Sequence, residues 1–342
     1  MSAADDALED GRLIGEVAAW LGGEGFRSRA CTIGHGGMRR SLLVARAPGG
    51  RRRLALHCVD SPRCDDDVLP ATFNAELSDA VAARRRPRPL PLIHLWEDQW
   101  DERAAIVRSR LLASLGRAER LMGRKCEARR VDAATLQAFL LDHHLWGPTQ
   151  ARFRYGLFER SSDELVAVAS FSPRRHMERD GKRYRSHELI RYCSRRGEAV
   201  AGGISKLIKA FSNELAPDDV VTSVDADWGD GEGWTTLGFE RTRRMPPETF
   251  WIGPDGRRCH ATGNAANPHR RRLPEPLRRR DDEDDGAHLE RLAAAGYFAV
   301  HDAGVHKWML LVNEPTEAYF EPRQEEREQA PKARRRSKVK VR

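Results

Sequence analysis

Apolar positions recur along this chain with two periods, and the changes of period mark where elements begin and end. Leu13, Ile14, Val17, Trp20 and Leu21 stand at helical spacing within residues 7–21, and Gly22-Gly23 closes the run. Two strand-like runs follow at 41–47 and 52–59, and Pro48-Gly49-Gly50 between them predicts a hairpin. Residues 60–91 carry Asp, Arg and Pro with little periodicity and read as a surface loop or a partly disordered insert. The run 92–96 predicts a short buried strand. A helix over 101–116 follows, with Asp101 and Glu102 in its first turn and Gly116 at its end, as the helix dipole and a left-handed cap favour.

From Cys126 the alternation becomes steady. The pattern predicts a strand at 126–131, a helix capped by Asp132, then strands at 154–159, 164–171 and 186–193. A helix at 204–215, a strand at 219–226, a helical turn at 231–239 and a strand at 248–252 complete the run. Mixed strands and helices of this kind imply an α/β or α+β domain with a mixed sheet flanked by helices. Residues 253–288 read as loop, 288–312 as a helix and a hairpin, and the segment from 313 as a charged tail.

Composition narrows the classes. The 342 residues suit two domains, and 40% hydrophobic residues allow full cores. The net charge of +8 favours an acidic or phosphate-bearing partner. Arginine-rich segments at 84–88, 270–280 and 332–342 make nucleic acid one such partner, bound through phosphates because no aromatic ladder accompanies them. No run of apolar residues is long enough to span a membrane. The acidic start, MSAADDALED, is not a secretory signal, and six scattered cysteines form no Cys-x-x-Cys pair. These features predict an intracellular protein, cytoplasmic or (in a eukaryote) nuclear, with neither disulfides nor a structural metal.

The chemistry concentrates at one turn. In GEAVAGGISKLIKAF (197–211), Gly202 and Gly203 precede a helix whose apolar stripe is Ile204, Leu207, Ile208, Phe211 and Leu215. The first turn of a helix offers unpaired N–H groups and the positive end of its dipole, so Gly202, Gly203, Ile204, Ser205 and Lys206 are candidate phosphate contacts. A plain glycine turn is the alternative. The Walker spacing is absent.

The order of strand, glycine turn, helix, strand and then WTTLGFE resembles the latter half of the GNAT superfamily of acyl-CoA N-acyltransferases, over roughly 126–253. The resemblance implies that the turn's amides hold the pyrophosphate of acetyl-CoA or another acyl-CoA. The family's Tyr-x-x-x-Gly-Phe pattern is represented by Trp234, Gly238 and Phe239, so its usual tyrosine is replaced. The Gln or Arg that commonly precedes the turn is replaced by Ala199 or Val200. Transfer of an acyl group to an amine needs a polarised thioester carbonyl and a base for the ammonium proton. Glu188, Asp225 and Asp227 are the candidates, for an amine acceptor that the sequence leaves unspecified. Strand alternation would put Asp225 and Asp227 on one face.

A second resemblance runs from 92 to about 310. His94, Trp96, Glu97, Asp98, Trp100, Ile106, Val107, Ser109, Arg110, Lys125, Cys126 and Glu127 are similar to the join in phage and mobile-element proteins. There a Vsr-like endonuclease domain meets a GNAT-like one. The nuclease half departs from the pattern, because 41–47 and 52–59 carry no carboxylates to hold Mg²⁺. His57, Asp60, Glu97 and Asp98 read as remnants.

The sequence thus predicts a degenerate nuclease-like α/β domain at 1–118, a linker at 119–125 and a GNAT-like domain at 126–253. A basic extension with a helix-hairpin module at 254–312 and a basic tail at 313–342 follow. Acyl-CoA-dependent N-acyl transfer, or coenzyme binding alone, is the first functional reading. A nucleic-acid-binding protein of mobile-element descent without acyltransferase activity is the alternative.

Overall fold

A computed structural model describes residues 11–49, 52–84, 90–179, 181–261 and 267–315. Helix α1 (Arg12–Gly23) buries Leu13, Ile14, Val17 and Leu21, the stripe its spacing predicts. Strands β1 (Arg27–His35), β2 (Met38–Arg46) and β3 (Arg53–Val59) form an antiparallel meander, and β4 (Leu92–Trp96) adds parallel to β3. Alternation decides the two faces. Leu54, Leu56, Ile93 and Leu95 pack under α1, while Ala55 and Leu92 face α2 (Phe73–Ala83) through Phe73, Leu77 and Val81. Part of the segment read as loop, 60–91, is therefore the helix between the parallel strands, and its Phe73-Leu77-Val81 spacing carried the signal. Of the arginine-rich run inside it, 85–89 lies outside the described residues.

The helix expected at 101–116 is two helices, α3 (Glu97–Glu102) and α4 (Ala104–Ser114), broken at Arg103. The segment 119–125, expected as a linker, contains strand β5 (Glu119–Met122) and a 3₁₀ turn (Gly123–Lys125). Then come β6 (Cys126–Arg130), α5 (Ala133–His143), β7 (Phe153–Glu159), β8 (Leu165–Phe171), β9 (Arg175–Arg179), β10 (Lys182–Ser194), β11 (Glu198–Ala201), α6 (Gly203–Leu215) and β12 (Asp219–Asp225). Asp132 caps α5 by accepting the Thr135 N–H at 2.7 Å. Further on are β13 (Glu240–Met245), β14 (Thr249–Ile252), β15 (Arg258–His260), α7 (Asp285–Ala294), β16 (Phe298–His301) and β17 (Val305–Leu311).

The large sheet runs β13-β17-β12-β10-β8-β7-β6, with β9 paired to β10. Helix α6 covers one face, where Leu207, Ile208 and Phe211 meet Leu157, Ala167, Ala169 and Phe171. Helix α5 covers the other, where Leu136, Phe139 and Leu140 meet Val168. The chain is a mixed α/β protein with several sheets flanked by helices.

Two expectations fail at its C-terminal side. Residues 298–301 and 305–311 form no hairpin, because β16 pairs with β14 and β17 pairs with β12 and β13. The large sheet therefore does not close at residue 253, since the segment read as an extension supplies an interior strand. Strand β14, expected in that sheet, lies instead in a three-stranded sheet ordered β15-β14-β16. Trp251, Cys259, Leu273 and Leu292 form a separate core there, against α7.

Candidate functional site

The glycine turn joins β11 to α6. Gly202 caps the helix with φ +74°, a conformation that costs glycine little and other residues more. Gly203 is there for packing: a Cβ would stand 2.9 Å from Val200 Cγ1 and 3.0 Å from Leu157 Cδ1. Beside the turn lies an open cavity of about 300 Å³ lined by Gly123, Arg124, Ala201, Gly202, Ser205, Lys206 and Lys209. Strand β5 pairs in parallel with β11, so the expected linker forms one wall of this cavity. Lys206, expected to meet a phosphate, donates through Nζ to the carbonyls of Gly123 (3.0 Å) and Cys126. It clips the 3₁₀ turn to α6, while exposed Arg124 and Lys209 bring the cavity's other positive charges. Ile204 is half-buried against the core, and Ser205 is exposed.

Strands β10 and β12 are the parallel neighbours of the large sheet, and their pairing runs only from Ser186↔Asp219 to Leu189↔Thr222. Just beyond, β10 slips its register against β8 between Leu189 and Arg191, which leaves Ile190 unmatched on β8. Glu188 sits at this divergence. Its carboxylate accepts from Ser223 Oγ at 3.3 Å and pairs with Arg175 at 3.2 Å, and its backbone N–H donates to Ser172 Oγ at 2.8 Å.

Asp225 and Asp227 do not share a strand face, because β12 ends at Asp225 and 226–228 turn as a 3₁₀ helix. Asp225 accepts the Trp146 indole N–H at 2.9 Å and the Asp227 N–H at 3.0 Å, and burial raises its pKa. Asp227 has 0% exposure and accepts the Trp96 indole N–H at 2.8 Å and the Ala303 N–H at 2.8 Å. Burial, then the neighbouring Asp225 and Asp302, push its pKa well up. The proton-acceptor role expected of Asp227 does not fit this placement, since a group sealed between β4, β12 and the 302–304 turn reaches no substrate. Of the three acids, Glu188 alone stands at the strand divergence with its carboxylate partly open. Trp234 packs edge-on to Phe239 at 4.9 Å, and Gly238 caps the 3₁₀ helix Glu232–Leu237 with φ +85°.

The residues of the N-terminal sheet read as nuclease remnants are engaged as well. Asp60 caps α1 by accepting the Leu13 N–H at 2.9 Å, and burial raises its pKa. Glu97 accepts from Arg12 Nε at 2.7 Å and the Ser61 N–H at 2.8 Å; burial opposes ionisation, yet these donors hold its pKa below the usual range. Asp98 forms a bidentate, buried pair with Arg258. His57 meets His94 through facing Nδ1 atoms at 3.0 Å, and burial lowers the pKa of both rings. A polar cavity of about 830 Å³ opens here, lined in part by Arg12, Arg39, Arg40, His57, Asp60 and Arg63. Among the described residues no group of three or more His, Cys, Asp or Glu could hold a metal ion.

Of the basic segments, Arg270 pairs with Glu248, Arg271 with Asp255 and Arg279 with Asp285, so local acids offset much of that charge. The segment 332–342 lies outside the described residues. Among the described residues no helix is long and apolar enough to cross a membrane.

No family model and no curated protein matches this chain. Among solved structures, it is similar to a ribosomal-protein-S5-alanine acetyltransferase from Vibrio fischeri at 10% identity, over 35% of this chain and 82% of that one, with a TM-score of 0.27. A superposition this loose carries no inference about activity.

Proposed function

We propose that the chain binds an acyl-coenzyme A at the start of α6 and transfers the acyl group to an amine. The observation that carries this reading is the glycine turn. Gly202 and Ser205 border an open cavity at the N-terminal end of a 13-residue helix, with Arg124 and Lys209 beside them. An anionic diphosphate there would meet first-turn N–H groups, the positive helix end and two cations.

The divergence of β10 and β12 lies one strand before this turn, since β10 is followed by β11, which leads into it. Acyl transfer would form a C–N bond to the amine and break the C–S bond of the thioester, releasing coenzyme A as its thiol. Glu188 would take the ammonium proton, directly or through water, and a backbone N–H at the bulge by Ile190 would polarise the thioester carbonyl.

The test is a charge placed in the exposed first turn. Ser205→Glu leaves the buried face of α6 untouched and should weaken acetyl-CoA binding at least tenfold. Glu188→Gln should retain binding and lose turnover with amine acceptors. Gly203→Glu is a poor probe, because the side chain would enter the Val200–Leu157 contact. If the wild-type chain shows no thermal shift at millimolar acetyl-CoA, the reading fails.

A further inference from the structure

Where α3, the 144–149 loop, β15 and residues 267–270 meet, the chain buries more hydrogen-bonding groups, donors among them, than it satisfies. Gln99 and His260 are each 2% exposed, and all four of their side-chain nitrogen and oxygen atoms lack a partner. Arg103 Nε, Arg258 Nη1 and His269 Nε2 are buried without partners too. Buried polar atoms are normally satisfied, and each one that is not destabilises the fold. An accumulation of this kind in one neighbourhood calls for a specific occupant.

The five residues are linked by contacts. Arg103 follows α3, and its backbone N–H donates to the Gln99 carbonyl at 3.0 Å, which puts the two side chains one helical turn apart. Its guanidinium donates to the Leu145 carbonyl and, at 2.8 Å, to the His269 carbonyl. Arg258 and His260 are two residues apart on β15 and so share a face. The His260 ring stands 6.0 Å from the Trp146 ring.

Charge gives the occupant its sign. Arg258 has Asp98 as a partner, but Arg103 bonds only to carbonyls, although it is 7% exposed. Burial lowers the Arg103 pKa to about 10, and burial with nearby Arg258 lowers that of His260 to about 3. The seam therefore holds a guanidinium that no carboxylate bonds, unpaired donors and two imidazoles that burial keeps neutral. A buried cation of this kind is stable when an anion meets it.

We infer that this seam is an anion site, in which Gln99, Arg103, Arg258, His260 and His269 bind a single carboxylate- or phosphate-class oxyanion. An oxyanion accepts from several donors at once, as the orphaned N–H groups require. It would join α3 of the N-terminal unit to β15 and residues 267–270, separate from the glycine-turn cavity.

The test is thermal unfolding of the full chain, dialysed into chloride and titrated at constant ionic strength with inorganic phosphate, sulfate or acetate. The expected result is a saturable rise of roughly 2 °C or more at tenfold excess over Kd. The three anions distinguish phosphate-class from carboxylate-class occupancy. His260→Phe and Gln99→Leu, which keep bulk and remove the orphaned atoms, should abolish the rise, while Ser205→Glu at the glycine turn should leave it. Calorimetry should count one anion per chain. A shift no larger than chloride gives means that water alone fills the seam and overturns the inference. So does a shift that Ser205→Glu removes and His260→Phe leaves. Should both seam variants fail to fold, the stoichiometry and chloride comparison on the wild type still decide.

Discussion

The acids of the N-terminal sheet and the acid at the β10–β12 divergence differ in what their neighbours leave free. Asp60 caps α1, Glu97 holds Arg12 and the Ser61 N–H, and Asp98 is closed by Arg258. Glu188 is held by an exposed arginine and a serine hydroxyl, one residue before β10 and β12 stop pairing. The residue types are alike in both places. A carboxylate is available for chemistry only where the fold leaves it short of partners, and in the N-terminal sheet the partners came from α1, Arg12 and β15.

The comparison breaks most visibly at Asp98. Asp98→Ala strands the Arg258 guanidinium in the interior and should cost about 3–5 kcal/mol in denaturant unfolding. A loss below about 1 kcal/mol would mean that water reaches Arg258 and that the N-terminal acids are less sealed than described.

Asp302, in the turn after β16, gives the next effect, and it depends on pH. Burial, with Asp225 and Glu248 near, raises the Asp302 pKa from 3.8 to about 6, against the N–H groups of Glu248 and Gly304 that it accepts from. The folded chain therefore keeps a proton that the unfolded chain releases, so stability falls as pH rises from about 4 to 6. Asp302→Asn keeps an acceptor oxygen for both N–H groups and should remove that fall, on the order of 2–3 kcal/mol. An unchanged pH slope in Asp302→Asn would place the titration elsewhere.

The smallest effect is expected at Glu97. Glu97→Gln should cost about 1 kcal/mol, because its Arg12 partner is partly exposed to solvent. It should change nothing in a nicking assay with Mg²⁺, where the wild type is expected to be inactive. Metal-dependent cleavage by the wild type that Glu97→Gln abolishes would erase the contrast between the two regions.

Local periodicity carried the elements that local packing makes. The stripe of α6, the glycine turn, the Asp132 cap and the Trp234–Phe239 turn were all legible, since each depends on residues within a few positions. What needed distant partners was not. Nothing in 305–311 says that it inserts between β12 and β13, because an interior strand is chosen by the edge left open, some 60 residues earlier in the chain for β13. The Trp96–Asp227 and Trp146–Asp225 bonds join residues 131 and 79 positions apart, and alternation alone put both aspartates on a strand. Phe73, Leu77 and Val81 show helical spacing that the surrounding Asp, Arg and Pro obscured.

The central claim is that the amides of the first turn of α6 receive an acyl-CoA. Calorimetric titration of the full chain with acetyl-CoA tests it most directly. One site per chain is predicted for the wild type, with affinity at least tenfold weaker in Ser205→Glu and unchanged in Glu97→Gln. An absence of heat at millimolar acetyl-CoA, or binding that Ser205→Glu leaves intact, would contradict it.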